Sequence, residues 1–186
     1  MRALLTIIAI SLFATATEAS EWSLYAMAQR GFRDDAGRAG LGLDAAGAFR
    51  PVVVRGVGEV GGGVVNDPGL DYRLEATSGI GPKEGKGPLL YGGVGRRRWS
   101  AESQLDTAEE FLYLPVGVRL IASLGGNAGI LLDGGARFKV AGGPVTPYAE
   151  AGLRAGSKLF SLFYEQVGHA GSRLDIIGMR FGVWMQ

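Results

Sequence analysis

Apolar and non-apolar residues alternate through most of this chain. Ile177, Met179, Phe181, Val183 and Met185 share one parity; Gly178, Arg180, Gly182 and Trp184 share the other. Leu112, Leu114, Val116, Val118 and Leu120 oppose Tyr113, Pro115, Gly117 and Arg119 in the same way. Ile130, Leu132, Gly134, Ala136, Phe138 and Val140 oppose Asp133, Gly135, Arg137 and Lys139. Ala149, Ala151, Leu153 and Ala155 oppose Tyr148, Glu150, Gly152 and Arg154, and shorter runs start at Ala39 and Tyr72. A period of two is the signature of strands with two different faces. Strands are expected at 21–30, 38–46, 49–60, 71–80, 89–100, 111–123, 129–140, 147–156, 157–167 and 172–185. Turn-rich segments separate them, at 32–37, 66–69, 82–88 and Gly125-Gly126-Asn127. Segments 49–60 and 157–167 alternate poorly, which leaves the count at eight or ten.

The second face decides the architecture. A soluble β-sandwich turns Thr, Ser, Lys and Glu to water. Here the non-apolar face mixes Gly with Arg, Asp and Glu, a composition that suits the inside of a narrow barrel. The reading is an all-β, antiparallel up-and-down transmembrane β-barrel, with backbone groups paired around a closed ring. Runs of about ten residues are long enough to cross hydrocarbon when tilted. Leu112, Leu114, Val116, Val118, Ile130, Leu132, Phe138, Ile177, Met179, Phe181 and Val183 are then expected to face lipid. Arg119, Asp133, Arg137, Glu150, Arg154 and Arg180 are expected to pair in the lumen. On this assignment Met179→Arg should be costly and Gly178→Ser mild. An exported soluble β-sandwich or lipocalin-like binder is the alternative architecture.

The chain opens with Met1-Arg2, an apolar run from Ala3 to Phe13, and then small residues through Ser20. That is the layout of a secretory signal, with cleavage expected after Ala16 or Ala19. The apolar run is shorter than the roughly 20 residues of a spanning helix. Residues 1–19 are therefore read as a signal peptide and 20–186 as an outer-membrane barrel of a Gram-negative bacterium.

Composition narrows the chemistry. There are 19 Lys+Arg against 18 Asp+Glu, too balanced for general nucleic-acid binding. With no Cys and one His, thiolate metal sites and imidazole-rich centres are excluded, so neither metal nor cofactor is expected. Gly56-Val57-Gly58-Glu59-Val60-Gly61 matches a dinucleotide fingerprint, but the glycine-rich sequence after it would break the helix that the fingerprint requires. His169, Ser172 and Glu165 are the candidates for a catalytic set; on one continuous strand, however, the odd spacing sets His169 and Ser172 on opposite faces. Arg96-Arg97-Arg98 before Trp99 is the one basic run, a candidate contact for lipopolysaccharide phosphates at the barrel rim. The acidic pairs Asp34-Asp35 and Glu109-Glu110 read as solvated loop residues.

With its signal, its alternation, the phrase from Thr146 to Leu153 and the closing Met179-Arg180-Phe181-Gly182-Val183-Trp184, the chain resembles small bacterial outer-membrane β-barrel proteins. The resemblance implies outer-membrane lipids and lipopolysaccharide as surroundings, and the barrel-assembly machinery as a partner during biogenesis. Tyr164-Glu165-Gln166-Val167-Gly168-His169-Ala170-Gly171 is similar to a stretch of lipid A 3-O-deacylases of the PagL kind, eight-stranded hydrolases with a catalytic His and Ser two residues apart. Position by position, Gln166 stands for that His and Gly168 for that Ser, which implies a relative without the hydrolytic groups. The sequence thus favours a non-enzymatic barrel with a filled lumen and a structural or surface-binding role. A lipid A deacylase-like hydrolase, or its inactive relative, is the alternative. Ligand and oligomeric state stay open.

Overall fold

The structure, a computed structural model, describes residues 21–31, 37–49, 52–63, 70–81, 87–99, 109–169 and 172–185. Ten strands account for nearly all of them: β1 (Glu21–Gly31), β2 (Gly37–Phe49), β3 (Val52–Gly63), β4 (Leu70–Ile80), β5 (Gly87–Trp99), β6 (Glu109–Gly125), β7 (Ala128–Lys139), β8 (Thr146–Ala155), β9 (Lys158–His169) and β10 (Ser172–Met185). Each pairs antiparallel with its sequence neighbours, and β1 also pairs with β10, so the sheet closes into a ring without edges. Closure excludes the sandwich reading, and the count is ten, not eight. The largest displacement from expectation is at β3, because β2 runs on to Phe49 and the third strand starts only at Val52. The proposed signal peptide, Asp34-Asp35 and most of the turns at 32–37, 66–69 and 82–88 lie outside the described residues.

Alternation in the sequence becomes alternation in burial. Along β4 the pattern from Leu70 to Ile80 is exposed or half-buried at every second residue and buried between them. Leu112, Leu114, Val116, Val118, Leu132, Phe138, Ile177, Met179, Phe181 and Val183 are all exposed on the outer surface. Ile130, expected with them, is half-buried. Two connections are tight. Gly125 and Gly126 take φ of 99° and 56° between β6 and β7, and Gly156 takes 59° between β8 and β9. Those left-handed conformations, not any lack of room, require glycine there.

The inward glycines have a different cause. Tyr25 pairs with Gly42, Tyr113 with Gly95 and Phe163 with Gly178 across neighbouring strands. A Cβ at Gly42, Gly95 or Gly178 would stand 2.3 Å from the partner's ring. Each aromatic therefore lies over a bare backbone, which lets bulky rings fit inside a small barrel. This overturns the expectation that Gly178→Ser is mild, because the new side chain would collide with Phe163. Toward the loop end of the lumen, Trp99, Phe163, Val167 and Ile176 form an apolar cluster flanked by Phe111 and Leu174.

Candidate functional site

The strand parity that turns leucines outward turns charges inward, and the interior is where the chain concentrates its chemistry. Among the described residues, eight buried or part-buried arginines (Arg38, Arg55, Arg73, Arg97, Arg119, Arg137, Arg154, Arg180) meet eight carboxylates (Glu21, Asp44, Glu59, Asp71, Glu75, Asp133, Glu150, Glu165). The balance lets the interior carry many charges without a net field. Every cation in this set is an arginine, whose planar fork can bond two carboxylates at once.

At the end where β1 begins and β10 finishes, Arg154 reaches Glu21 at 3.4 Å and lies over the Trp184 ring at 4.4 Å. Above it, Arg55 grips Asp44 through two bonds of 2.8 and 2.7 Å and extends to Asp133 at 3.2 Å. Arg119 also approaches both acids. Tyr91 donates to Asp133 and shares a hydrogen bond with Tyr148. At mid-height Glu59 accepts from Tyr25, Arg73 and Arg180 at 2.8, 2.9 and 3.0 Å. Arg180 bridges on to Glu150, which also accepts from Ser161 at 2.6 Å.

Nearer the loops, Glu165 accepts two bonds from Arg97 (2.9 and 2.6 Å) and one from Arg137 (2.9 Å), with Arg73 3.8 Å away. Arg137 stacks over Tyr148 at 4.3 Å and so links this layer to the one below. Arg38 pairs with Asp71 and lies over Trp99. Two small cavities bordering this network hold about 20 and 10 Å³, each the space of roughly one water. A larger vestibule of about 530 Å³ opens at the terminal end, bordered by Glu21, Arg154, Trp184 and the β6–β7 and β8–β9 turns.

All six sequence-predicted lumen charges point inward, and each has an ion-pair partner. Four belong together in two layers: Arg119 with Asp133, and Arg180 with Glu150. Sequence reasoning did not include Arg38, Asp44, Arg55, Glu59, Asp71, Arg73, Glu75 or the four inward tyrosines in the network. Parity alone would have found most of them, since Asp44, Arg73 and Glu75 sit opposite clear apolar runs.

The remaining candidates separate. Arg96 and Arg98 are exposed on the outer face, whereas Arg97 is buried against Glu165, so an outer ligand meets two of the three arginines. Glu165 has its carboxylate committed to guanidinium groups, which removes it as a free general base. His169 and Ser172 are register partners on β9 and β10. The odd-spacing argument against their sharing a face fails because the chain reverses between them; their side chains lie outside what is described. Gln166 donates to Asp175 at 2.8 Å and Tyr164 donates to the same oxygen at 2.7 Å, an outward cluster without a nucleophile.

No protein-family model matches the sequence, and a search of curated proteins returns no relative. The likeness to PagL-type deacylases therefore rests on the quoted octapeptide alone, and the ten-stranded ring departs from the eight strands it implied.

Proposed function

We infer that this chain is an exported, integral outer-membrane β-barrel of a Gram-negative bacterium, non-enzymatic, with a structural or surface-binding role. The observation that carries this reading is the contrast between the two faces of one closed sheet. Outside, Leu, Val, Ile, Phe and Met side chains stand exposed around the ring, on β1 through β10. Exposed apolar surface on that scale is costly in water and favourable in lipid. Inside, arginines and carboxylates pair with one another across the lumen, and the cavities beside Arg97 and Arg119 hold only about 20 and 10 Å³. An interior filled in this way supports a plugged barrel over an open pore. Glu165, the acid of the candidate set, is committed to Arg97 and Arg137 and offers no free base, which supports a binding or structural role over lipid hydrolysis.

The start of β1 and the end of β10 share one end of the barrel with the tight β6–β7 and β8–β9 turns. In exported barrels that end faces the periplasm and the other faces the outer leaflet. Fractionation with electrophoresis of unboiled and boiled outer membranes tests the reading. The account expects a membrane-bound band that runs faster unboiled; a soluble periplasmic protein without a mobility shift would overturn it.

A further inference from the structure

We propose that the outer face beside Arg96 and Arg98 is a lipid A site, with a phosphate held by the arginines and an acyl chain lying in the adjoining trough. The proposal rests on the outer-membrane reading above. Its geometry comes from two consecutive register rows of outward residues. One row runs Leu41, Val60, Tyr72, Arg98 and Glu110 across β2 to β6. The next, deeper from the loop end, runs Leu43, Gly58, Leu74, Arg96 and Leu112. On the β2–β4 side these rows enclose a trough of about 450 Å³, floored by Gly58 and walled by Leu41, Leu43, Val60, Tyr72 and Leu74. On the β5 side they carry the cations.

Gly58 leaves the trough open between the apolar walls of β2 and β4. A Cβ there would meet only a methyl of Leu74 at 3.7 Å, an ordinary contact, unlike the collisions at Gly42, Gly95 and Gly178. Protein packing does not demand glycine at this position; a side chain would occupy the trough instead. The cations are also unequally engaged. Arg96 pairs with Glu110, which accepts from Tyr72 as well, so one carboxylate fixes the patch. Arg98 is exposed and makes no ion pair or side-chain hydrogen bond with the described residues. Among the described residues the patch sets two arginines against one carboxylate at the loop end of β5, where an outer-leaflet phosphate would lie, and guanidinium groups bind phosphate oxygens in a two-point fork. An anionic head on the arginines beside an apolar trough on the same two rows fits a phosphorylated acyl lipid.

The full chain in lipid nanodiscs, checked by heat modifiability, would be titrated with bis-phosphorylated lipid A, phosphate-free lipid A and phosphatidylglycerol, with retention read by native mass spectrometry. The expected result is a single lipid A retained in preference to the other two lipids. Arg98→Gln and Gly58→Phe should each weaken retention about ten-fold. Gly134→Phe, on the outer face of β7 where a Cβ would also have room, should leave it unchanged. Equal retention of all three lipids, or retention indifferent to both variants, would overturn the site while leaving a heat-modifiable membrane barrel intact. Loss of the barrel signature in the unmodified protein would instead overturn the membrane reading and the site together.

Discussion

Gly42 and Gly58 are both strand glycines, yet they answer to different solvents. Gly42 faces inward, and its missing side chain is the space that the Tyr25 ring occupies. Gly58 faces outward, and its missing side chain leaves a trough in the apolar surface. The same contrast holds for charge. Glu165 is buried among three arginines inside, while Met179, on the neighbouring strand, is exposed among apolar side chains outside. The inner face is governed by complementarity between specific partners, whereas the outer face, away from the Arg96–Arg98 patch and the Asp175 cluster, asks only for apolar character. Residue identity should therefore matter pairwise inside and by polarity outside.

The sharpest way to break this comparison is to remove one inner partner. Glu165→Leu removes the acid that Arg97 and Arg137 share, leaving Arg137 only the more distant Glu75, and should cost about 3–5 kcal/mol, read as a lower urea midpoint for refolding in micelles. Next comes a charge on the outer face. Met179→Arg should cost roughly 2–4 kcal/mol if the residue lies near the bilayer midplane, with a smaller folded fraction on a heat-modifiability gel. Gly42→Ala forces the Tyr25 ring aside and should cost about 1–3 kcal/mol in the same titration. Gly58→Ala, the identical change on the other face, should stay within about 0.5 kcal/mol. Equal penalties for the two alanines would remove the distinction between the faces.

Much of this organisation was legible before any coordinates. The strands from β6 to β8 and β10 announce themselves because lipid-side Leu, Val and Ile alternate with Gly, Arg and Asp. β9 did not, because Leu159, Phe163 and Val167 face inward and are buried among Ser161 and Glu165, so apolar residues fall on both of its faces. The inward apolar cluster with Trp99 and Ile176 explains that lapse: a lumen was expected to be polar throughout. β3 was obscured for the opposite reason, since Gly56 and Gly58 stand on its outer face where leucines were expected. Six network charges were legible from parity, but beyond Arg119 with Asp133 and Arg180 with Glu150 their partners were not among them. Asp44 reaches Arg119 and Glu165 reaches Arg97 across 75 and 68 residues of sequence, and only closure of the ring brings them together. For the same reason Arg97 was grouped with Arg96 and Arg98 by adjacency, although strand geometry sends it to the other side.

The central claim is that the exposed apolar face meets lipid. The chain has no cysteine, so Leu114→Cys, Leu132→Cys and Leu162→Cys each give a unique attachment point for a nitroxide on the outer surface. In refolded vesicles the account predicts that all three labels collide readily with dissolved oxygen and poorly with a water-soluble nickel chelate. Ready access to the chelate at all three positions would mean that this face meets water, and the membrane assignment would fall.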